Sequence, residues 1–135
     1  MAVVRHETQQ IRSSEDVVAV RRAVREWAIG VGFSLVDQTK IVTAASELAR
    51  NIVHHGGGSG SVRLEALNDD HRRGLRLIFE DHGPGIENLE LALQDGYSTG
   101  NGLGLGLSGA KRLSNEFEIQ SGPGEGTRVT ITRWK

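Results

Sequence analysis

The chain of 135 residues contains no cysteine, so no disulfide or thiolate chemistry enters its fold or function. Its first ten residues, MAVVRHETQQ, show no basic segment followed by an apolar run. No stretch approaches the roughly 18 apolar residues that mark a membrane-spanning helix. A cytoplasmic location is the simplest expectation, with no membrane partner. Charge of one sign is missing too: Lys and Arg number 16 against 17 Asp and Glu, a formal net charge of -1. No field favours nucleic acid or a lipid surface. Proline is scarce, with two residues. Glycine is the exception, its 18 residues making about 13% of the chain against an average near 7%. Some part of this protein needs backbone without a Cβ.

What is present suffices for one core, since 37% of residues are hydrophobic. Residues 3–11 read as a strand. Ser13, Ser14, Glu15 and Asp16 then offer capping chemistry to a helix with the stripe Val17, Val20, Val24, Trp27 and Val31. Gly30 and Gly32 stop it. Ser34 and Asp37 resemble a capping box and open a second helix, with core stripe Ile41, Ala45, Leu48 and Ile52, that ends at Gly56–Gly58. Alternation predicts strands over 61–67 and 75–80, joined as a hairpin. A glycine-rich loop over 81–106 leads to a short helix over 107–113 and a closing hairpin of 117–120 with 128–134. The order βααββαββ, without linker or repeat, predicts a single domain over 1–135. Its fold class is α/β, a two-layer α/β sandwich with helices on one face of a mixed sheet.

Three clusters carry chemistry. Glu47 and Asn51 lie one turn apart on one flank of the second helix, and a carboxylate beside an amide oxygen suits a hard cation such as magnesium. Taken alone, that spacing more often belongs to an ordinary solvated helix face. The run Phe79-Glu80-Asp81-His82-Gly83-Pro84-Gly85-Ile86 places an acid at the end of an apolar strand, before glycines that flank a proline. Such a carboxylate can accept from an exocyclic amine while glycines admit a flat base, or it can simply cap a tight turn. The third cluster is Ser98, Thr99, Gly102, Leu103, Gly104, Leu105 and Gly106, glycines alternating with leucines ahead of a predicted helix. Exposed amides at a helix start favour phosphate, and the leucines argue for anchoring in a core over a plain linker. Gly104 to Gly109 also matches GxGxxG, but no strand precedes it and no βαβ unit follows, so a dinucleotide fold is rejected. His54 and His55 point about 100° apart and read as residues of a helix end that favours cations. Arg50 lies about 100° from Asn51, toward surface or partner.

Taken together, Glu47/Asn51, Asp81/Gly83/Gly85, Gly102/Gly104/Gly106 and Gly126/Thr127 follow the order of the boxes of the GHKL ATPases and kinases, the Bergerat fold. The strings SELARN, EDHGPGI, DGYSTGNGLGLGL and the ending ITRWK make the chain resemble, over nearly its whole length, the RsbT-type serine/threonine switch kinases of bacterial stress signalling. That resemblance implies ATP or ADP and Mg2+ as cofactors. It implies that Asp81 binds the adenine amine, Gly83 and Gly85 shape the adenine pocket, and Thr127 supports the base through water. Asn51 would hold magnesium and Glu47 would orient or deprotonate the attacking group. Ser98, Thr99 and the amides from Gly102 to Gly106, with Leu103 and Leu105 among them, would cradle the phosphates under a lid. The segment 96–106 departs from nucleotide-binding relatives in having no lysine. Phosphate charge must then be met by amides, magnesium, or Lys111 and Arg112. With roughly ten residues before the first helix, too few for a phosphoaccepting dimerisation segment, an external acceptor is expected. The resemblance implies a STAS-domain antagonist as protein substrate and a PP2C-type phosphatase activated by binding, with a monomer or weak dimer expected. An RsbW-type anti-sigma factor kinase that holds a sigma factor, and an ATP-binding module without kinase activity, stand as alternatives.

Overall fold

The computed structural model of the chain describes residues 1–94 and 106–135. Its elements run β1 (Ala2–Ile11), α1 (Ser14–Val31), α2 (Leu35–His55), β2 (Gly60–Asp69), β3 (Arg72–Asp81), α3 (Leu89–Ala92), α4 (Leu107–Arg112), β4 (Glu116–Ser121) and β5 (Thr127–Trp134). The predicted order holds with one addition, the single-turn α3. It lies where glycine and proline suggest only loop, and it forms because the Asn88 side chain accepts from the Leu91 N–H at 3.0 Å.

Helix ends set the layout. Ser13 caps α1 by accepting from the Asp16 N–H at 3.4 Å, and the Asp16 carboxylate accepts from the Arg12 N–H at 2.8 Å. The helix closes at Gly32, whose φ of +100° a residue with Cβ would rarely adopt. There the Gly32 N–H donates to the Ile29 carbonyl at 3.0 Å and the Phe33 N–H to the Ala28 carbonyl at 2.9 Å, a Schellman closure. It buries Phe33 and hands the chain directly to Ser34, the cap of α2, which accepts from the Asp37 N–H at 3.2 Å. The capping box expected here is half formed. The Asp37 carboxylate instead accepts from Arg133 Nη2 at 2.7 Å, and that bond holds the Asp37 carboxyl below its ordinary range. The second guanidinium nitrogen, Nη1, donates to the Leu113 carbonyl at 2.8 Å, so Arg133 ties the start of α2, the end of α4 and β5 together.

The five strands lie in the order β1-β2-β3-β5-β4, and every pairing is antiparallel. This corrects the expectation of a mixed sheet, and connectivity is the reason. Helices α1 and α2 run out and back, so the chain re-enters the sheet where it left it, with Ile11 paired to Gly60. β2 must therefore oppose β1. The crossing from β3 to β4 does set those two strands in the same sense. β5 returns between them and pairs antiparallel with both, so the parallel relationship never becomes a ladder.

Alternation gives the sheet two faces. Leu75, Leu77 and Phe79 of β3 face the helices, with Val62 and Leu64 of β2 and Val129 and Ile131 of β5. Against them pack the predicted stripes of α1 and α2, all of whose residues are buried. Each large aliphatic so buried contributes roughly 1.5–3 kcal/mol. The opposite face is largely polar, with Leu67 buried on it. There Trp134 covers Gly74, and the Arg72 guanidinium lies 4.0 Å over the Trp134 ring. Among the described residues no helix is long and apolar enough to cross a membrane.

Candidate functional site

Counting back by twos along β3 from Asp81 gives Phe79, Leu77 and Leu75, so the Asp81 side chain projects into the helix-covered layer at the end of an apolar strand. It is 8% exposed. Thr127, the first residue of β5, stands opposite it in register. The Gly83 N–H donates to Asp81 Oδ1 at 2.9 Å, and the Thr127 N–H also donates to this carboxylate. Burial pushes the Asp81 carboxyl above its ordinary range, and the two amide bonds pull it down without cancelling the effect.

Asp81 and Thr127 border a cavity of about 390 Å³ whose walls include Asn51, His55, Gly85, Ile86, Leu91, Leu107 and Val129. Its size and its mixture of apolar walls with a few converging polar groups suit a small organic ligand. The loops around it interlock through glycine. A Cβ on Gly56 would fall 2.6 Å from Asp81 Oδ2. One on Gly83 would collide with the Gly56 backbone, and one on Gly85, at φ +77°, with the Gly122 carbonyl. Gly85 thus lies on the cavity wall. Gly83 backs onto the end of α2, where its bare backbone makes room for another chain segment.

Asn51, partly exposed, reaches the cavity from the last turns of α2. Glu47, one turn earlier, is packed beside Gly106, which precedes α4 at φ +66°. Arg50 does not simply face outward. Its Nη1 donates to Glu47 Oε1 at 3.2 Å and its Nη2 to Ser46 Oγ at 3.4 Å, because a long side chain reaches back along its helix. His55 departs from the helix-end reading as well: it joins the cavity wall, and burial, followed by the charge of His54, lowers its pKa and disfavours the cation. Ser98, Thr99, Gly102, Leu103, Gly104 and Leu105 lie outside the described residues.

Several wall residues escape sequence reasoning. Val129 was legible, being two residues along β5 from Thr127 on the same face. Leu91 carries only a weak signal: Asn88 is a capping residue ahead of Leu89-Glu90-Leu91-Ala92, but a single turn beside Gly83, Pro84 and Gly85 is hard to tell from loop. Ser121 carries no motif signal either, yet its Oγ accepts from the Ile86 N–H at 2.8 Å, donates to the Gly126 carbonyl at 2.9 Å and lies 2.8 Å from Thr127 Oγ1.

Residues 36–135 match the family described as histidine kinase-, DNA gyrase B-, and HSP90-like ATPase. The chain is 45% identical over 125 residues to the serine/threonine-protein kinase RsbT of Bacillus subtilis, with 93% of each chain covered. It is 30% identical over 128 residues to an anti-sigma F factor of Clostridium kluyveri, covering 91% of this chain and 89% of that one. The solved RsbU and RsbW domains of a Mycobacterium tuberculosis protein match it with a TM-score of 0.65 at 25% identity, over 96% of this chain and 33% of that longer one. The chain belongs to the histidine kinase-, DNA gyrase B- and HSP90-like ATPase family and, within it, to the RsbT-type serine/threonine-protein kinases.

Proposed function

We propose that the protein is an ATP- and magnesium-dependent serine/threonine kinase that works as a partner switch, phosphorylating a STAS-domain antagonist and activating a PP2C-type phosphatase by binding it. The observation that carries this reading is the arrangement of one cavity. A buried carboxylate, Asp81, and the Asn51 amide both line it, and Glu47 lies one turn before Asn51 on α2, beside Gly106 at the start of α4. In this reading Asp81 and Thr127 hold adenine between the apolar walls, and Asn51 lies toward the phosphates. Glu47 orients or deprotonates the acceptor hydroxyl. The oxygen donors fit magnesium, which takes one or two protein oxygens and leaves its other positions to water and phosphate. When bound there, magnesium supplies charge neutralisation at the phosphates. Positioning and electrostatics of this kind are most of what phosphoryl transfer requires.

The test is transfer of labelled γ-phosphate to a purified STAS-domain antagonist, alongside calorimetric titration with ATP in the presence and absence of magnesium. Asn51→Ala should abolish the magnesium-dependent part of binding and the transfer, at a cost of roughly 1 kcal/mol or less in stability for a partly exposed side chain. Undiminished transfer by this variant would overturn the assignment. A second reading, an anti-sigma factor kinase, is favoured by the 30% identity to the anti-sigma F factor. Recovery of a sigma factor, and no STAS-domain protein, in a pull-down would decide for it.

A further inference from the structure

Thr127 borders the cavity, but the direction in which its hydroxyl hydrogen points is set from behind, by Ser121 at the end of β4. A serine hydroxyl has one hydrogen and two lone pairs. The Gly126 carbonyl can only accept, so the bond of 2.9 Å between them uses the Ser121 hydrogen. The Ile86 N–H can only donate, so its bond of 2.8 Å takes one Ser121 lone pair. When all three contacts are made as hydrogen bonds, one lone pair is left for Thr127 Oγ1 at 2.8 Å, and Thr127 is the donor in that contact. Its hydrogen points at Ser121, and its lone pairs are left for the cavity. The Thr127 backbone N–H is committed as well, to the Asp81 carboxylate.

We propose that Ser121 is a specificity-determining positioning residue: by fixing the Thr127 hydrogen it makes the wall formed by Asp81 and Thr127 purely hydrogen-bond accepting. Resting on the nucleotide reading above, this defines which base fits. An accepting wall matches the 6-amino group of adenine, a donor, and opposes the 6-oxo group of hypoxanthine or guanine, an acceptor. A site built around one hydrogen-bond polarity rejects the opposite polarity because its own groups are then left unmatched. The same serine fastens the loop after Gly85 to the hairpin that carries Thr127. A purely mechanical role is therefore the rival explanation, and base preference is the readout that such a role would not move.

Affinities for ATP and for purine riboside triphosphate, which lacks the 6-amino group but keeps N1 as an acceptor, are measured by calorimetry with magnesium on the full chain. In Ser121→Ala, Thr127 Oγ1 loses its acceptor and can turn its hydrogen into the cavity. The preference for ATP over the nucleotide without the 6-amino group should then shrink about three- to tenfold, the worth of one neutral hydrogen bond. Ser121→Thr, which keeps the hydroxyl, should retain the wild-type ratio. On a Thr127→Val background, where no hydroxyl remains to be oriented, Ser121→Ala should leave the ratio unchanged. If Ser121→Ala does not fold, as judged by thermal unfolding, Ser121→Cys keeps the volume with a far weaker bonding group and serves for the same ratio. Equal losses for both nucleotides would reduce Ser121 to a clasp and overturn this inference alone. A wild-type protein that binds neither nucleotide would overturn the nucleotide reading, and this inference with it.

Discussion

Gly106 lies directly against Glu47: a Cβ placed on Gly106 would fall 2.7 Å from the Glu47 carboxylate oxygen Oε2 and 2.9 Å from the Glu47 Cβ. The start of α4 and the acid of α2 therefore share one space, and the absent side chain of the glycine is what lets them do so. Gly106→Ala meets two penalties, the left-handed backbone at φ +66° and the displacement of Glu47. The first costs roughly 1–2 kcal/mol of stability. The second should lower the rate of phosphoryl transfer well beyond any change in ATP affinity, if Glu47 acts on the acceptor. Steady-state kinetics with separate kcat and KM check this, and a rate equal to wild type would show the contact to be incidental.

Asp81 sets an expected pH dependence. Burial raises its carboxyl above the ordinary 3.8, so in the window between that value and the raised one the folded protein holds a proton that the unfolded chain has released. The contribution of this group to stability is present below the window and is lost as pH rises through it. Binding should run the other way. An amine is accepted best by the ionised carboxylate, so ATP affinity should fall on acidification at a higher pH than an ordinary Asp would give. Within the window ATP binding should release a proton, detectable as a dependence of calorimetric enthalpy on buffer. Asp81→Asn should remove the proton release and weaken the preference for adenine.

The elements and the Asp81 wall were legible because two periods are written plainly in the chain. The stripe Ile41, Ala45, Leu48, Ile52 fixes which flank of α2 carries Glu47 and Asn51, and the alternation Leu75, Leu77, Phe79 carries straight on to Asp81. What failed depended on contacts between residues far apart in sequence. The antiparallel sheet follows from β5 entering between β3 and β4, which no local pattern records. Asp37 passes its carboxylate to Arg133, 96 residues away, in place of closing its own capping box. The apolar wall at Leu91 precedes a glycine-rich stretch whose composition hides any period, whereas the helix that begins at Leu107 was expected there.

On the open face of the sheet, Glu65 is 5% exposed between Arg76, whose Nε donates at 2.6 Å, and Arg63, whose Nε donates at 2.9 Å. Burial alone would raise its carboxyl, but the two guanidinium bonds outweigh it and leave the pKa below the ordinary 4.5. The stability so gained is present above that ordinary value and is lost as pH falls through the depressed one. Arg76→Ala leaves a buried carboxylate with one partner and should cost about 1–3 kcal/mol in denaturant unfolding. Because this face is turned away from the cavity, ATP affinity should not change. A parallel loss of nucleotide binding in the folded variant would mean that the two faces are coupled.

Arg50 offers the sharpest separation between two roles. Its ion pair with Glu47, at 3.2 Å, joins side chains that are 49% and 38% exposed, so it contributes about 0–1 kcal/mol to stability and Arg50→Ala should melt close to wild type. Removing the guanidinium nevertheless frees the Glu47 carboxylate from one fixed neighbour. If Glu47 orients or activates the acceptor hydroxyl, Glu47→Ala should slow transfer by about 10² to 10⁴-fold while leaving ATP affinity and partner binding in place. Arg50→Ala should then slow transfer by a smaller factor, with nucleotide KM unchanged. The double variant decides how Arg50 acts. A positioning role through Glu47 predicts that Arg50→Ala has no further effect on transfer once Glu47 is gone, since there is nothing left to position. A partner-contact role predicts that the two losses multiply and that Arg50→Ala weakens binding of the protein partner by itself, measured by surface-immobilised titration. Transfer that is independent of Arg50 in both backgrounds, with partner affinity intact, would leave the guanidinium as a solvated neighbour of the site and nothing more.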